Sequence, residues 1–398
     1  MKVLIAGAGI GGLTAALCCL HFGHDVTVFE QAPELGDVGA GIQVPPNAMK
    51  VFKALGIDTL IAKNAFRPEG LEARMGESGR SIFNIPLGEK SLKRWGAPYL
   101  HIHRADYIEA LRTALLQRSP QALRLGAAVT NYKRQGEGVS VKLEDDQELT
   151  GDVLIAADGI KSIIRERMLG PDKPVFTGNI AWRAVIPMKA LGETKPYPTA
   201  CVWMGQGRHA VTYRLRGGDV ANFVGVVETD DWTEESWSQK GRREEALKDF
   251  HGWHPVITSI LKSVSSDSLY KWALFDRAPL TRWTDGAAAL LGDAAHPMLP
   301  FMAQGAAMAV EDSWVIAREL SKQDRSVQAS LGQYQTLRLP RTTKAQNASR
   351  ANMKTFHQRT KLKQLKTYSP MWLAGHLAPN IVQTRLDWLY KFDATKPR

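Results

Sequence analysis

The stretch that decides the fold is residues 2–30, KVLIAGAGIGGLTAALCCLHFGHDVTVFE. The apolar run at 2–6 predicts a buried strand, the small and apolar residues at 12–22 predict a helix, and DVTVFE at 25–30 predicts a second strand. Two strands joined by a helix within about thirty residues have the size of a parallel βαβ crossover. The N-terminal part is therefore predicted to be α/β with a parallel sheet.

Gly7, Gly9 and Gly12 form a G-x-G-x-x-G pattern between the first strand and the helix. In this setting the first glycine permits a tight turn, the second lets the backbone approach a pyrophosphate, and the third lets the helix pack closely on the strand. Glu30 ends the second strand, eighteen residues after Gly12. An acid at this place binds the ribose hydroxyls of a dinucleotide and disfavours a 2′-phosphate. The pattern therefore favours FAD or NAD over NADP.

Beyond this unit the predicted elements change character twice. From about 175 to 275, segments such as IAWRAVIP, ACVWMG, HAVTYRL and ANFVGVVE predict antiparallel strands. After GAAALLGDAAH at 286–296 the chain is predicted to be largely helical. The predicted fold is α/β, with a Rossmann-like nucleotide-binding domain that is interrupted by an antiparallel-sheet substrate domain and followed by a helical C-terminus. The predicted boundaries are 1–75, 100–174 and 276–340 for the first domain, 76–99 and 175–275 for the second, and 341–398 for the C-terminal helical segment.

The composition excludes several classes of protein. The chain has 398 residues, of which 44% are hydrophobic, enough for two packed domains. No apolar run approaches the ~18–20 residues of a transmembrane helix, and the glycines after the short apolar start argue against a signal peptide. The three cysteines, Cys18, Cys19 and Cys201, include no C-x-x-C pair, so neither a disulfide framework nor a zinc ribbon is indicated. We expect a cytoplasmic protein.

The formal net charge of +11 is concentrated near the C-terminus. Between Arg325 and Arg385 there are eleven Lys or Arg and no Asp or Glu. One interpretation is a solvated helical surface, and another is a basic flank that attracts an anion such as a carboxylate substrate or a dinucleotide. Nucleic-acid binding is not expected, because no nucleic-acid motif accompanies the charge.

Two downstream segments favour FAD over NAD. The dipeptide Asp158-Gly159 ends a predicted buried strand, and GDAAHPMLPFMAQGAAMAVED at 292–312 places Asp293 ahead of a run of small residues. A plain NAD dehydrogenase needs neither motif.

Together with the glycine turn and Glu30, these motifs resemble, in order and spacing, the three fingerprints of the single-component FAD-dependent aromatic hydroxylases, the family of p-hydroxybenzoate hydroxylase. The resemblance covers about residues 1–345. Within the family, the chain is most similar to the group of salicylate hydroxylase, 3-hydroxybenzoate 6-hydroxylase and 6-hydroxynicotinate 3-monooxygenase.

The resemblance implies cofactor-binding roles for individual residues. The matching positions are Gly7, Gly9 and Gly12 for the FAD pyrophosphate, Glu30 for the adenosine ribose, Arg104 for the flavin, Asp158 beside the pyrophosphate, Gly292 and Asp293 for the ribityl chain, and Pro300 to Gly305 for the loop beside the isoalloxazine ring. The residues themselves agree with this assignment, since small residues after Pro300 let backbone lie near a planar ring. A helix that starts near Gly305 would also point N–H groups at the flavin, where they stabilise the negative charge of its reduced form.

The reaction that the resemblance implies uses NADH or NADPH as a transient electron donor. The reduced FAD then reacts with O2 to form a C4a-hydroperoxide, and the distal oxygen of this group attacks an electron-rich aromatic ring. The cofactor supplies this chemistry, so the protein needs no oxygen-activating metal. One alternative is a hydroxylase of the 3-hydroxybenzoate or 6-hydroxynicotinate type. The others are a flavin oxidase or dehydrogenase of related fold that inserts no oxygen, and a flavin-bound sensor without turnover.

The attacked ring needs a hydroxyl that loses its proton, and RHAVTYRL supplies two candidate groups. His209 and Tyr213 are four residues apart, so on a strand both face the same side. Histidine titrates near neutral pH and tyrosine can orient a phenol. A half-buried strand with polar tips would explain the pattern equally well, but the resemblance matches both residues to polar active-site positions of the family.

Four further residues are candidates for contact with the substrate: Gln43, Arg183, Cys201 and Phe301. The 6-hydroxynicotinate type has histidines where this chain has Gln43 and Phe301, and this departure favours a benzene-ring acid such as salicylate or another hydroxybenzoate. Cys201 matches a pocket cysteine of that type, although a small buried thiol is the commoner reason for a cysteine. Arg183 is a candidate for binding the carboxylate, or a structural charge.

His296, Glu311 and Asp312 complete the 292–312 segment. A metal site would need more ligands at suitable spacing, so none is predicted. We expect His296 to be a loop residue bonded to backbone and the two acids to belong to the following helix. The expected partners are a small aromatic acid and O2, and a second copy of the chain in a homodimer is compatible with the sequence.

Overall fold

The computed structural model of the protein describes residues 1–36, 40–230 and 240–396. Its N-terminal part is built on a six-stranded sheet in which Lys2–Ala6 lies between Val153–Ala156 and Asp25–Phe29. These central strands are parallel, and Ile5 pairs with Ile155 on one side and with Val28 on the other. From one edge to the other, the strands are Thr284–Asp285, Ala288–Leu290, Val153–Ala156, Lys2–Ala6, Asp25–Phe29 and Leu123–Arg124. The predicted βαβ unit is confirmed.

The helix that links the first two parallel strands, Ile10–His21, is buried from Gly12 to Cys19. Its small residues allow it to pack against the Gly305–Leu320 helix and the Arg104–Arg118 helix. Because the strands beneath are buried on both faces, they read in the sequence as continuous apolar runs rather than as alternating ones.

A second, seven-stranded sheet carries the segments that were predicted to be antiparallel. From edge to edge its strands are Leu269–Asp276, Val175–Pro187, Val220–Glu228, Arg208–Leu215, Ala200–Gly205, Gly70–Met75 and Ser81–Pro86. All neighbours are antiparallel except Ala200–Gly205 and Gly70–Met75, which are parallel. The strand at 70–75 thus belongs to this sheet, whereas the predicted boundary at 75 counted it with the nucleotide-binding part. The division into domains stays a prediction.

The two faces of this sheet have different surroundings, because side chains alternate along each strand. Trp182 and Phe223 pack with the helices Arg243–Asp249 and Pro255–Ser263 in one hydrophobic core. Arg183, next to Trp182, lies on the opposite face and lines a cavity. This opposite face is therefore the one that meets the nucleotide-binding part.

The remaining elements are short sheets and helices. The strands are Val129–Gln135, Gly138–Leu143 and Glu148–Gly151 in one sheet, and Gly41–Val44 with Leu100–His103 in another. The further helices are Pro46–Ala54, Asp58–Ala62, Glu89–Trp95, Ile163–Leu169, Val327–Phe356, Lys361–Leu377 and Pro379–Tyr390. Short 3-10 turns are Met188–Leu191, Arg216–Gly218, Ser266–Ser268, Gly292–Ala294 and Pro300–Met302.

The last three helices confirm the predicted helical C-terminus, and they fold back over the molecule. Lys361–Leu377 packs against the edge strand Ser81–Pro86. Tyr390, at the end of the last helix, joins Trp95 and Tyr99 in a buried aromatic cluster. Among the described residues, no helix is both long and apolar enough to cross a membrane.

Candidate active site

The turn after the first strand has the geometry of a phosphate cradle. Gly7 has a φ of +96°, and a Cβ there would lie 2.5 Å from the carbonyl oxygen of Ala157. A Cβ on Gly12 would lie 1.9 Å from the carbonyl oxygen of Gly7. Gly9 precedes the Ile10–His21 helix and has no neighbouring atom within 4 Å of a built Cβ. The open space at Gly9 faces a helix N-terminus, which favours a bound anion.

Glu30 follows the second parallel strand and is held by backbone donors. Its carboxylate accepts hydrogen bonds from the N–H of Ala8 at 2.8 Å and from the N–H of Ala32 at 3.0 Å. The acid is thereby fixed directly beside the glycine turn, and its remaining lone pairs are free for ribose hydroxyls.

Asp158 lies at the end of the neighbouring parallel strand, Val153–Ala156. One of its oxygens accepts a hydrogen bond from the N–H of Ile164 at 3.2 Å, while the other is buried without a hydrogen-bond partner. Burial raises the pKa of Asp158 above its ordinary value, although the hydrogen bonds oppose the shift. Its neighbours in sequence, Ala157 and Gly159, line a cavity.

That cavity has a volume of about 440 Å³ and lies between the two large sheets. It brings together most of the predicted site residues, which are Gly9, Gln43, Arg104, Arg183, His209, Tyr213, Gly292, Asp293, Pro300 and Gly305. We call it the flavin cavity, because its floor is formed by the predicted flavin-binding loop.

Asp293 opens onto the flavin cavity but is otherwise surrounded by protein. Burial raises its pKa, and the charges of His296, Arg104 and Arg165 oppose the shift. Arg165 is buried and donates to the carbonyl oxygen of Ala294 at 3.2 Å, which ties the turn to the Ile163–Leu169 helix. Asp293 is thus a fixed acceptor at the floor of the cavity, as a ribityl-binding acid requires.

Beyond Pro300 the chain enters the Gly305–Leu320 helix, whose first residues line the flavin cavity. Gln304, the N-cap residue, makes no side-chain capping hydrogen bond, and no other described residue is seen to cap the helix, so backbone donors remain for a ligand. The side-chain nitrogen of Gln304 is also buried without a hydrogen-bond partner. The glycine cradle, the placed acids and these donors fit FAD.

The opposite wall of the flavin cavity is the strand Arg208–Leu215, from which His209, Val211 and Tyr213 face the cavity. The prediction that His209 and Tyr213 share a side is confirmed. Burial and the nearby His357 lower the pKa of His209 well below its ordinary value. Burial raises the pKa of Tyr213, although the charge of Arg183 opposes the shift. At neutral pH the histidine therefore has one ring nitrogen that can accept a proton, and the tyrosine keeps a hydroxyl proton that it can donate.

Tyr213 is held from two sides. Its ring packs against His101, with ring centres 4.7 Å apart. On another side it touches Gly41, where a Cβ would lie 2.4 Å from the tyrosine ring. Gly41 is therefore required by the close approach of Tyr213 rather than by a turn.

A second cavity of about 570 Å³ adjoins the first, and the two share Gln43, Val211, Pro300 and Ala303. We call it the C-terminal cavity, because residues of the last three helices form much of its wall, including Phe356, Met371, Arg385 and Tyr390. The four predicted substrate residues are divided between the two spaces. Arg183 lines only the flavin cavity, Cys201 and Phe301 line only the C-terminal cavity, and Gln43 lines both.

Gln43, at the junction of the cavities, is fixed by Tyr99, whose hydroxyl donates to its side-chain oxygen at 2.5 Å. Burial raises the pKa of the Cys201 thiol well above its ordinary value, so this residue is neutral in the cavity wall. Phe301 packs against His209, with ring centres 5.2 Å apart.

The residues behind the flavin loop correct one expectation. His296 was expected to bond to backbone, but its side chain lies 2.5 Å from the carboxylate of Asp312. Asp312 also accepts from buried Arg338 at 2.6 Å, and Glu311 pairs with both Arg338 and Arg341 at 2.7 Å. Both acids lie in the Gly305–Leu320 helix, as expected. Among the described residues no group of His, Cys, Asp and Glu could hold a metal.

This buried cluster also changes the interpretation of the basic C-terminal segment. Arg338 and Arg341 are neutralised by Glu311 and Asp312, and Arg350 pairs with Asp276 at 2.5 Å. Part of the apparent charge excess is therefore internal rather than a solvated surface. Burial alone would lower the pKa of Arg338, but the two carboxylates raise it.

The polar residues of the site that were missed from the sequence include Tyr99, Glu228, His357 and Arg385. His357 is buried, and its Nε2 lies 2.6 Å from Nδ1 of His209. In the sequence it lies among polar and basic residues, which indicates solvent exposure. The one local signal is the aromatic residue Phe356 directly before it.

Comparisons with known proteins agree with this geometry. Residues 1–349 match the family described as FAD binding domain. A 3-amino-4-hydroxybenzoate 2-monooxygenase of Streptomyces platensis is 34% identical over 89% of this chain and 88% of that protein. A 6-hydroxynicotinate 3-monooxygenase of Pseudomonas fluorescens is 34% identical over 88% and 91%. A 3-hydroxybenzoate 6-hydroxylase of Aquipseudomonas alcaligenes is 35% identical over 98% and 97%.

Solved structures show the same fold over nearly the whole chain. Klebsiella pneumoniae HpxO in complex with FAD and uric acid has a TM-score of 0.85 and 26% identity, and the match covers 98% of this chain and 97% of that one. A salicylate hydroxylase substrate complex has a TM-score of 0.82 and 26% identity, over 99% and 96%. The chain therefore belongs to the FAD-binding family, within its group of FAD-dependent aromatic hydroxylases.

Proposed function

We propose that this flavoprotein uses NADH or NADPH and O2 to hydroxylate an aromatic acid that already carries a hydroxyl group, with salicylate as the leading candidate. The observation that carries the proposal is the junction of the two cavities at Gln43 and Pro300, where the flavin loop meets the strand that bears His209 and Tyr213. A planar aromatic molecule at this junction would contact both the flavin edge and the two polar groups. The relatives support the substrate class, since their names specify hydroxybenzoates and a hydroxynicotinate.

The cofactor-binding residues hold FAD in the flavin cavity, where FAD supplies electron transfer from the nicotinamide donor and the activation of oxygen. Gly7, Gly9 and Gly12 form the turn for its pyrophosphate, and Asp293 anchors its ribityl chain. The N-terminus of the Gly305–Leu320 helix would offer its backbone N–H groups to the flavin, where they would favour a negatively charged ring. No residue of the chain has to change its redox state.

The substrate hydroxyl is handled by the strand opposite the loop. His209, neutral because of its lowered pKa, accepts the phenolic proton and thereby makes the ring electron-rich. Tyr213, which keeps its proton, donates a hydrogen bond that orients the oxygen. The apolar side chains of Val211, Val224 and Leu299 along the cavity exclude water from this step.

Two arginines are candidates for the carboxylate of the substrate. Arg183 lines the flavin cavity with its guanidinium 5.4 Å from the ring centre of Trp272. Arg385 lines the C-terminal cavity, whose described wall also includes an acid, Glu72, that is paired with Arg74 at 2.6 Å. Binding by Arg183 would place the substrate carboxylate in the flavin cavity, whereas binding by Arg385 would place it under the last helix.

A panel of phenolic acids tests the proposal in the purified yellow protein. We expect NADH oxidation that depends on the aromatic compound and is coupled to a hydroxylated product, with oxygen-18 from O2 in that product. Product without label would identify an oxidase or dehydrogenase. No stimulation by any phenolic acid would identify a sensor.

Matched variants, Arg183→Met and Arg385→Met, locate the carboxylate. Replacement of the arginine that binds the carboxylate should raise KM for salicylate at least ~10-fold, as expected for one lost charge-assisted contact. The same replacement should leave KM for a phenol without a carboxylate unchanged. The other substitution serves as the control.

A further inference from the structure

We infer that His357 and Glu228 form, with His209, a proton relay that connects the substrate hydroxyl to solvent. The inference rests on the proposed function, because it takes the substrate to be a phenol beside His209. His357 and Glu228 are then positioning and proton-carrying residues that the chemistry at the flavin would use but that do not touch the flavin.

Three side chains lie in contact, one after another, between the cavity and the surface. Nδ1 of His209 lies 2.6 Å from Nε2 of His357. Nδ1 of His357 lies 3.3 Å from a carboxylate oxygen of Glu228, and the other oxygen of Glu228 accepts from Arg359 at 2.8 Å. The exposed side-chain fraction rises along this path, from 2% at His357 to 28% at Glu228 and 74% at Arg359.

Aromatic rings insulate the two histidines from other routes. Phe301 and Phe356 each place their ring centre 5.2 Å from that of His209. With Nδ1 of His209 turned to His357, Nε2 is the ring nitrogen left for the cavity. A proton that enters from the cavity is therefore directed to His357.

Burial favours the neutral form of both imidazoles. The titratable group whose proximity shifts the pKa of His209 is His357. The charged groups that shift the pKa of His357 are Glu228 and Arg359. Burial lowers the pKa of His357 to about 4, although Glu228 opposes the shift. A neutral pair can pass a proton without holding a buried charge, whose desolvation would be unfavourable.

The transfer balances as a movement of single protons. The phenolic O–H bond breaks and an N–H bond forms at Nε2 of His209, while its Nδ1 proton passes to Nε2 of His357. The Nδ1 proton of His357 passes to Glu228, from which solvent takes it. The contact between His357 and Glu228 is not aligned as a hydrogen bond, so a small ring rotation accompanies this last transfer. Nothing is oxidised or reduced, and the reverse sequence returns a proton when the product leaves.

A coloured phenolic acid, 4-nitrosalicylate, allows the ionisation to be followed in the FAD-bound enzyme. Stopped-flow absorbance after mixing records how fast the bound nitrophenol loses its proton. We expect His357→Gln and Glu228→Gln each to slow this ionisation at least ~10-fold, the lower part of the range for acid–base groups. In both variants the residual rate should rise with pH, because hydroxide replaces the relay, whereas the wild-type rate should be flat across the neutral range.

The matched control is His24→Gln, which removes a buried histidine that lines neither cavity. It should ionise the probe at the wild-type rate. If His357→Gln does not retain FAD, Glu228→Gln carries the test, since its side chain is partly exposed. Wild-type ionisation kinetics in Glu228→Gln would overturn the relay.

The relay and the proposed function fail in different ways. Absence of oxygen insertion across the panel refutes the proposed function. Unchanged ionisation in the variants, with 4-nitrosalicylate bound, refutes the relay alone. Failure of 4-nitrosalicylate to bind the wild-type holoenzyme also refutes the relay, because the relay requires a phenol beside His209.

Discussion

Replacing Arg338 with methionine removes the charge at the centre of the buried cluster behind the flavin loop. Arg338 is 1% exposed and bonds to both Glu311 and Asp312. Arg341 still pairs with Glu311 in the variant, and His296 still contacts Asp312. The two buried carboxylates nevertheless lose the one cation that both of them contact, and the loss of one partner from a buried ion pair costs about 3–5 kcal/mol.

The expected change in Tm follows from the length of the chain. At about 2 cal/mol/K of unfolding entropy per residue, the 398 residues give about 0.8 kcal/mol/K, so Tm should fall by about 4–6 °C. Release of FAD fluorescence during heating measures it. The matched control is Arg350→Met in the same helix, whose ion pair with Asp276 is about a quarter exposed on each side. This control should lower Tm by about 1 °C or less.

The difference in Tm between the Arg338→Met variant and the wild type should depend on pH in a defined direction. In the wild type, burial alone would raise the pKa values of Glu311 and Asp312, but the cations around them lower both. The stability from these carboxylates is therefore present above their unfolded pKa values and is lost as pH falls through the folded ones. Without Arg338 the folded pKa values rise, so protonation relieves the unpaired charge at a higher pH. The Tm deficit of the variant should narrow in mild acid, and a deficit that widens there, or one no larger than that of Arg350→Met, would refute the reasoning.

Three further predictions concern the site. Asp293→Ala should weaken FAD binding at least ~10-fold through the loss of a buried acceptor, as measured by fluorescence titration; unchanged affinity would contradict its role as an anchor. Gly12→Ala should abolish FAD retention, because the added Cβ would lie 1.9 Å from a backbone oxygen. Gly9→Ala is the control for folding: its Cβ would meet no protein atom within 4 Å, so this variant should fold with an unchanged far-ultraviolet spectrum. His209→Ala and Tyr213→Phe should slow hydroxylation by ~10²-fold or more and ~10-fold, respectively, with FAD still bound; loss of FAD instead would show that they are structural.

The fold was predictable from the sequence wherever one local pattern determines one structure. The apolar runs of the parallel sheet and the glycines between them have a single physical explanation, so the nucleotide-binding part was identified correctly. The alternating strands around His209 and Tyr213 placed both residues on one face for the same reason. The parallel pairing of Ala200–Gly205 with Gly70–Met75 was not predictable, because it joins segments far apart in the chain.

The same limit applies to the site. Arg338 and His357 lie in a segment that has eleven basic residues and no acid, and such a segment favours exposure. Their burial depends on acids that other elements bring to them, Glu311 and Asp312 for Arg338 and Glu228 for His357. His296 was misjudged for the same reason, since its partner Asp312 lies in the next helix.

The C-terminal cavity has a consequence for how this enzyme can diverge. Its wall includes residues from Asn352 to Tyr390, beyond the 349 residues that match the family, whereas the described residues that line the flavin cavity all lie at or before Ala309. Substitutions in the last three helices can therefore remodel one chamber while the cofactor cradle stays intact. Changes at Met371 or Arg385, for example, would alter the shape of the C-terminal cavity without replacing a residue that lines the flavin cavity.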